Sequence, residues 1–375
     1  MRPTLCRPDE VATLLPAVIA DEMVLAPLAD DAARAVVLPG VDVEGIHGGV
    51  IVTTSGSSGK PKAVVLSSDS LRAAAASARE RFDALGLGRI TWTNALPDQY
   101  VAGLMVHVRA LLEGTRVRVA APRLGGLEPD PATANAISIV PTQLFRAMDE
   151  SAVLERLARY DVVLLGGASV DPGLLERARG QGVRLVTTYG MSETCGGCVW
   201  DGEPLPGVDV ELDDDGRIHL GGEMVFSGYR GRPDLTEEVL VEGRVRTQDR
   251  GAWLAGAGPR RLRVLGRMDD VVVSGAVNVD LAAVQRAVDA LEGSAVGPGV
   301  VVALPDAEWG QRVTLVVTEH AHDLDWYQER LRADLSGAAL PRRLERLDVL
   351  PLTTSGKIDR RAIVAALTDR RAGEN

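Results

Sequence analysis

The stretch GVIVTTSGSSGKPKAVVLS, residues 49–67, constrains the fold of this chain more than any other. Its opening run, GVIVTT, is short, apolar and β-branched, which suits a strand buried on both faces. Residues 55–61 that follow are serine, glycine, lysine and proline only. Small residues let a backbone approach a ligand closely, and consecutive N–H groups with hydroxyls form a concavity for phosphate oxygens. SSDSLRAAAASARERFDAL, residues 67–85, then reads as a helix with Ser/Asp cap candidates and an alanine-rich body, so the expected order is strand, loop, helix. A Walker A loop is excluded: Thr54 occupies the place of its first glycine, and Pro61 follows Lys60 where Ser or Thr is required. Proline there has no N–H to point at a phosphate. Taken alone, the segment is a phosphate cradle of another kind or an ordinary polar surface loop.

At 375 residues the chain exceeds what one core usually holds, so one large or two unequal domains are expected. DVVLLGGAS (161–169) and RLVTTYG (184–190) read as two more strands ending in small or polar residues, separated by the helical DPGLLERARGQG. That alternation predicts a parallel sheet whose strand C-termini form a ligand edge. From about residue 203 the texture becomes β-rich, and GVDVELDDDGRIHLGG alternates with period two on both sides of Asp215-Gly216, a hairpin signal. Further on, Leu281, Val284, Val288 and Leu291 share one helical face, and GVVVALPD, RVTLVVTE and RLERLDVLP read as strands around the helical LDWYQERLRADL. The expected fold is α/β. A large N-terminal domain, 1–267, has parallel αβ layers and a β-rich subdomain at about 203–265, and a small mobile α+β domain spans 268–375. No internal repeat is visible.

A formal charge of −11 argues against nucleic acid or an anionic membrane as partner, so any anionic ligand must be held by local groups. Near the N-terminus Asp9, Glu10, Asp21 and Glu22 interrupt every apolar stretch, leaving neither a membrane span nor a leader core, and the cytoplasm is the expected location. Cys6, Cys195 and Cys198 cannot build a disulfide framework. Cys195 and Cys198 have metal or redox spacing, but no second Cys/His pair lies nearby and packing is the simpler use. With 3% aromatics, the core must be mostly aliphatic.

Five motifs occur in order: TSGSSGKPK (54–62), TYGMSET (188–194), TQDRG (247–251), GRMDDVVVSG (266–275) and TTSGKIDR (353–360). Together they resemble the adenylate-forming (ANL) superfamily of acyl-CoA synthetases, peptide-synthetase adenylation domains and luciferases. TYGMSETCGGCVWDGEPLPGV and ALPDQYVAGLMVHVRALLEG look, more narrowly, like the short actinobacterial form of the o-succinylbenzoate-CoA ligases of menaquinone biosynthesis. The resemblance implies a carboxylate attacking the α-phosphorus of ATP, loss of pyrophosphate, and attack of CoA thiol on the acyl-adenylate, with Mg²⁺ assisting.

Residue by residue, the resemblance implies that Thr54, Ser55, Gly56, Ser57, Ser58, Gly59 and Lys62 hold the β- and γ-phosphates. Glu193 matches the magnesium ligand and Ser192 sits near the α-phosphate; Tyr189, with Gly190 and Met191 behind it, faces the Gly166-Gly167-Ala168 turn across adenine. Asp249 accepts from both ribose hydroxyls, as an ionised carboxylate does well, and Arg267 fixes the ribose-phosphate side. Gln248 stands where a glycine is more frequent. Lys357 matches the adenylation lysine, a mobile point charge that bridges carboxylate and α-phosphate. Asp269 matches the hinge about which the small domain rotates, and Gly275 lets pantetheine pass close to the backbone.

For the acyl pocket, Tyr100 replaces a frequent histidine, and the glycines Gly196 and Gly197 make room for the acyl group. Arg109 either pairs with a second substrate carboxylate or is an exposed helix arginine. Relatives carry a longer segment before the first motif, so a trimmed N-terminal subdomain is expected, with a homodimer partner covering the lost surface. The function expected is acid–CoA ligation. A different acid or acceptor, or a catalytically inactive adenylate-binding protein, stays open, although the joint presence of Glu193, Asp249 and Lys357 counts against the last.

Overall fold

The structure is a computed structural model that describes the chain except residues 1, 29, 38–44, 55–61, 169, 171, 257–258, 276, 292–298, 307, 319–320, 336, 354–357 and 375. Two compact units are present: Met1–Ser169 with Ala178–Thr247 and Ala252–Arg263, and Val170–Arg177 with Gln248–Gly251 and Val264–Asn375.

In the first unit, β1 (Thr4–Cys6), β2 (Val24–Pro27) and β3 (Gly49–Thr54) run parallel, with α1 (Val11–Ile19) and α2 (Asp31–Val37) between them. β4 (Lys62–Ser67) then returns antiparallel to β3, setting Lys62 opposite Thr54. The expected strand, loop, helix is therefore corrected to strand, loop, strand, helix. Ala63 to Leu66 are all buried, so the run carries no alternation to betray a strand, and its length did not separate it from a helix lead-in. α3 (Ser68–Ala84) follows as expected, capped by Ser67, whose hydroxyl accepts the Ser70 N–H at 3.1 Å.

A seven-stranded sheet holds the unit's centre: β5 (Ile90–Asn94), β6 (Val117–Val119), β7 (Ala134–Ile139), β8 (Val162–Leu165) and β9 (Leu185–Met191) are parallel, as the sequence predicts. β10 (Gly196–Trp200) and β11 (Glu203–Pro204) extend it antiparallel beside β9. Four helices belong to the crossovers: α4 (Val101–Glu113), α5 (Pro141–Ala147), α6 (Ser151–Leu157) and α7 (Pro172–Gly180). The core is mostly aliphatic, with one aromatic knot in which Phe82 meets Trp92 at 5.8 Å and Trp200 at 5.1 Å between ring centroids. The expected hairpin at Asp215-Gly216 forms between β12 (Asp209–Leu212) and β13 (Arg217–Gly221). β14 (Gly228–Tyr229) crosses back to pair with β4, α8 (Pro233–Val239) follows, and β15 (Leu240–Val241), β16 (Arg244–Leu254) and β17 (Arg261–Arg267) complete the β-rich region.

In the second unit, β18 (Val271–Ser274) and β19 (Val277–Asp280) form a hairpin before α9 (Leu281–Asp289), β20 (Val300–Asp306), β21 (Gly310–Val317), α10 (Leu324–Leu331) and β22 (Arg343–Arg346). Val301 in β20 faces Val284 and Val288 of α9, while Val300, Val302 and Leu304 point to the opposite face, against Ile363 and Leu367. Those two belong to α11 (Arg360–Glu374), which the sequence reading did not identify. Period-two alternation thus serves two cores from one strand.

Tyr160 is fully buried and its hydroxyl meets Thr93 Oγ1 at 2.9 Å. Tyr160→Phe leaves Thr93 without this partner and is expected to cost about 1 kcal/mol, read as a lower urea midpoint at unchanged slope.

Candidate functional site

Lys62 and Glu193 meet at one side chain. The Tyr229 hydroxyl donates to Glu193 Oε1 at 2.6 Å, and Lys62 Nζ lies 5.1 Å from the centroid of the same ring. Thr54 and Lys62 face each other where the hairpin opens; Ser55, Gly56, Ser57, Ser58 and Gly59 lie outside the described residues.

The sheet edge beside them is set by how closely three strands approach at Thr188. A Cβ on Gly166, just past β8, would lie 2.2 Å from Thr188 Oγ1, and one on Gly197 in β10 would lie 2.8 Å from Thr188 Cβ. Gly190 is tighter still: its Cβ would sit 2.0 Å from the Gly196 carbonyl. The room at Gly197 is therefore filled by Thr188, whereas a Cβ on Gly196 would find only Val101 Cγ2, at 4.0 Å. Tyr189 pairs with Val199, and Gly167 and Ala168 follow the end of neighbouring β8, with Gly167 at φ +87°. Met191 ends β9 and leads into the 3₁₀ turn Ser192–Thr194. There the buried Thr194 hydroxyl accepts the Met191 N–H at 3.0 Å and donates to the Gly196 carbonyl at 2.9 Å. The Glu193 carbonyl accepts the Phe226 N–H at 2.9 Å, fixing the turn from the other side.

Next to the turn runs α4. Residues 103–110 are all buried, so this helix has no polar face even though it carries His107 and Arg109. The loop before it is tied by Asp98, whose carboxylate accepts from Asn94 Nδ2 at 2.5 Å and lies 3.0 Å from His107 Nε2. Tyr100 sits at the helix N-cap with its N–H on the Pro97 carbonyl. Arg109 is not the exposed helix arginine that was one of its two expected roles. Only 6% of it is accessible; its guanidinium lies 5.3 Å from the centroid of the Trp92 ring, and its Nε has no hydrogen-bond partner. Burial pulls its pKa down to about 10, against the opposing influence of Glu113 and Cys195.

In the second unit, Asp249 lies half-buried in β16 beside Arg250, which pairs with Asp280, the N-cap of α9. Arg267 ends β17, where Gly266 lets the strand rest on Ala282: a Cβ there would lie 2.2 Å from that of Ala282. Asp269 belongs to the 3₁₀ turn Met268–Asp270, and its side chain lies outside the described residues. Gly275 has φ +57° and stands against Trp309, whose ring would be 2.5 Å from a Cβ. Lys357 lies outside the described residues; beside it, Ile358 bridges Leu352, and Asp359 caps α11 through the N–H groups of Arg361 and Ala362.

Residues 23–230 match the family model described as AMP-binding enzyme. The chain belongs to that family. A Mycobacterium tuberculosis protein named probable 2-succinylbenzoate–CoA ligase is 35% identical over 345 residues, covering 87% of this chain and 85% of that protein. The Listeria monocytogenes 2-succinylbenzoate–CoA ligase is 28% identical over 331 residues, 83% of this chain and 68% of that protein. Wild-type Escherichia coli MenE with a bound m-phenylether-linked analogue of OSB-AMS aligns with a TM-score of 0.62 at 26% identity, over 85% of this chain and 69% of that one. ATP-bound MatB from Rhodopseudomonas palustris shares the fold, with a TM-score of 0.73 at 22% identity, over 98% of this chain and 79% of that one.

In this AMP-binding enzyme, sequence reasoning did not find Tyr229, Thr188, Thr194 or the Asp98–His107 pair. Tyr229 stands 36 residues from its partner in a two-residue strand, so no periodicity marks it. The CGGC cysteines are packing residues: burial pushes the thiols of Cys195 and Cys198 up to about 12, and burial with Glu10 and Asp9 pushes that of Cys6 up to about 11. Native enzyme at about pH 8 is expected to show no fast-reacting thiol towards an aromatic disulfide reagent, and all three after unfolding.

Proposed function

We propose that this AMP-binding enzyme is an AMP-forming o-succinylbenzoate–CoA ligase of menaquinone biosynthesis, acting in the cytoplasm on ATP, a dicarboxylic aromatic keto acid and CoA. The reaction is supported by the name and length-wide match of the Mycobacterium tuberculosis relative. Arg109 carries the substrate class. Burying a guanidinium costs several kcal/mol, and among the described residues Arg109 forms no ion pair, Glu113 acting on it only at longer range, so a substrate's second carboxylate would offset part of that cost. The guanidinium feels the Cys195 thiol, next to the Ser192–Thr194 turn, and the first turn of the same helix borders Gly196.

In the first half-reaction the acid's other carboxylate attacks the α-phosphorus and pyrophosphate leaves; in the second, CoA thiol attacks the acyl carbon and AMP leaves. Both steps crowd negative charge, which fixed donors and cations stabilise. Lys62 takes the pyrophosphate oxygens with residues 54–59, and Ser192 faces the α-phosphate. Glu193 suits Mg²⁺, since its Oε2 has no hydrogen-bond or ion-pair partner among the described residues and a hard dication prefers carboxylate oxygen. Bound there, Mg²⁺ would offset phosphate charge. Tyr189, Gly190 and Met191 flank adenine opposite residues 166–168, Asp249 receives the ribose hydroxyls, and Arg267 holds the ribose-phosphate side. Lys357 serves adenylation alone, whereas the hinge at Asp269 and the close backbone approach at Gly275 serve thioester formation.

Pyrophosphate release on mixing the enzyme with ATP and o-succinylbenzoate tests the reaction; none above the acid-free rate would refute it. Lys357→Ala is expected to slow adenylation at least about 100- to 1000-fold yet leave thioester formation from supplied acyl-adenylate within about tenfold. Arg109→Met is expected to fold at least as stably as wild type, because it removes a buried charge that forms no ion pair among the described residues. Its kcat/KM should fall about 10- to 100-fold for the dicarboxylic acid and change little for the analogue lacking the second carboxylate.

A further inference from the structure

Glu193 and Lys62 carry opposite charges and touch the same side chain, yet they form no ion pair with each other among the described residues. We propose that Tyr229 is the positioning residue that keeps them apart and ready, its hydroxyl fixing the Glu193 carboxylate and its ring face carrying the Lys62 ammonium. The inference rests on the assignment of Glu193 to a magnesium–nucleotide complex.

Tyr229 is built to hold a position. It is 4% exposed, and its backbone is fixed on two sides: it pairs with Val64 of β4, and its N–H reaches Thr236 Oγ1 at 2.9 Å. Its ring packs edge-on against Phe226 at 4.9 Å and 66°. Gly228 before it has φ +136°, and a Cβ there would lie 2.9 Å from Thr236 Cγ2, so the approach of the two segments demands glycine. Phe226, one turn of chain earlier, donates its N–H to the Glu193 carbonyl, so the same segment grips Glu193 through main chain and side chain.

The arrangement has a chemical purpose. A glutamate side chain free to rotate must be ordered when a metal binds, and a lysine beside it would neutralise it instead. The ring face attracts the ammonium by its quadrupole, while the hydroxyl, at the ring's edge, takes one carboxylate oxygen and leaves the other open. Each charge is then presented to its own part of a metal–nucleotide ligand.

The test uses Tyr229→Phe, which keeps the ring and removes the hydroxyl. By calorimetry, wild type should bind ATP with Mn²⁺ more tightly than ATP without metal. Tyr229→Phe should lose about tenfold in the metal-dependent binding and keep its metal-free ATP affinity, with a melting temperature close to wild type. 3-Fluorotyrosine at position 229 keeps the hydroxyl and the fold and should bind Mn²⁺–ATP as wild type does. Unchanged Mn²⁺–ATP binding by Tyr229→Phe, equal loss with and without metal, or a loss by the fluorotyrosine protein as large as that of phenylalanine would overturn the inference while leaving the ligase reading intact. Wild type that binds ATP no better with Mn²⁺ than without would overturn both.

Discussion

The candidate site of the first unit is built on Thr188 being wedged between Gly166 and Gly197. Three adjacent strands converge there so tightly that any side chain on either glycine would displace the threonine. Since Tyr189, Met191 and Glu193 follow within five residues on the same strand and turn, their placement is inherited from this packing rather than from loop interactions. Gly190 opposite Gly197 adds a second glycine contact one step along. The edge is therefore closely packed, and the polar residues it carries do not have to hold it together.

The helix α4 follows a different logic. It buries eight consecutive residues, among them a histidine held by Asp98 and an arginine that lies on an indole face and forms no ion pair among the described residues. Stability alone would favour an apolar residue at position 109, because desolvating a guanidinium is expensive and aromatic contact returns only part of the cost. The proposed contact with a substrate carboxylate would offset that cost.

Much of the architecture was legible in the sequence because strong local patterns and tertiary packing agreed. β3, β8 and β9, the α9 face of Val284 and Val288, and the hairpin at Asp215-Gly216 all announce themselves by period or by turn residues. β4 did not, since a strand buried on both faces has no alternation, and α11 did not, since its apolar positions are few and its cap, Asp359, belongs to a motif read for chemistry. The candidate site was proposed from a set of motifs. Its supports were not: Tyr229, Thr188 and Thr194 act through contacts between segments distant in the chain or through single hydroxyls, which leave no periodic trace. Arg109 could be located but its burial could not, because a helix buried on every side offers no polar stripe against which to judge one charge.

The pairing of β14 with β4 has a consequence for how the molecule is made. Until residue 229 has left the ribosome, β4 has only β3 beside it, and its other flank is an unpaired row of valines and peptide groups. A nascent chain must carry that sticky margin through some 160 residues of synthesis, a long-range closure of the kind that slows folding and invites association with other chains. The two residues Gly228 and Tyr229 are in this sense a latch that ends the vulnerable interval.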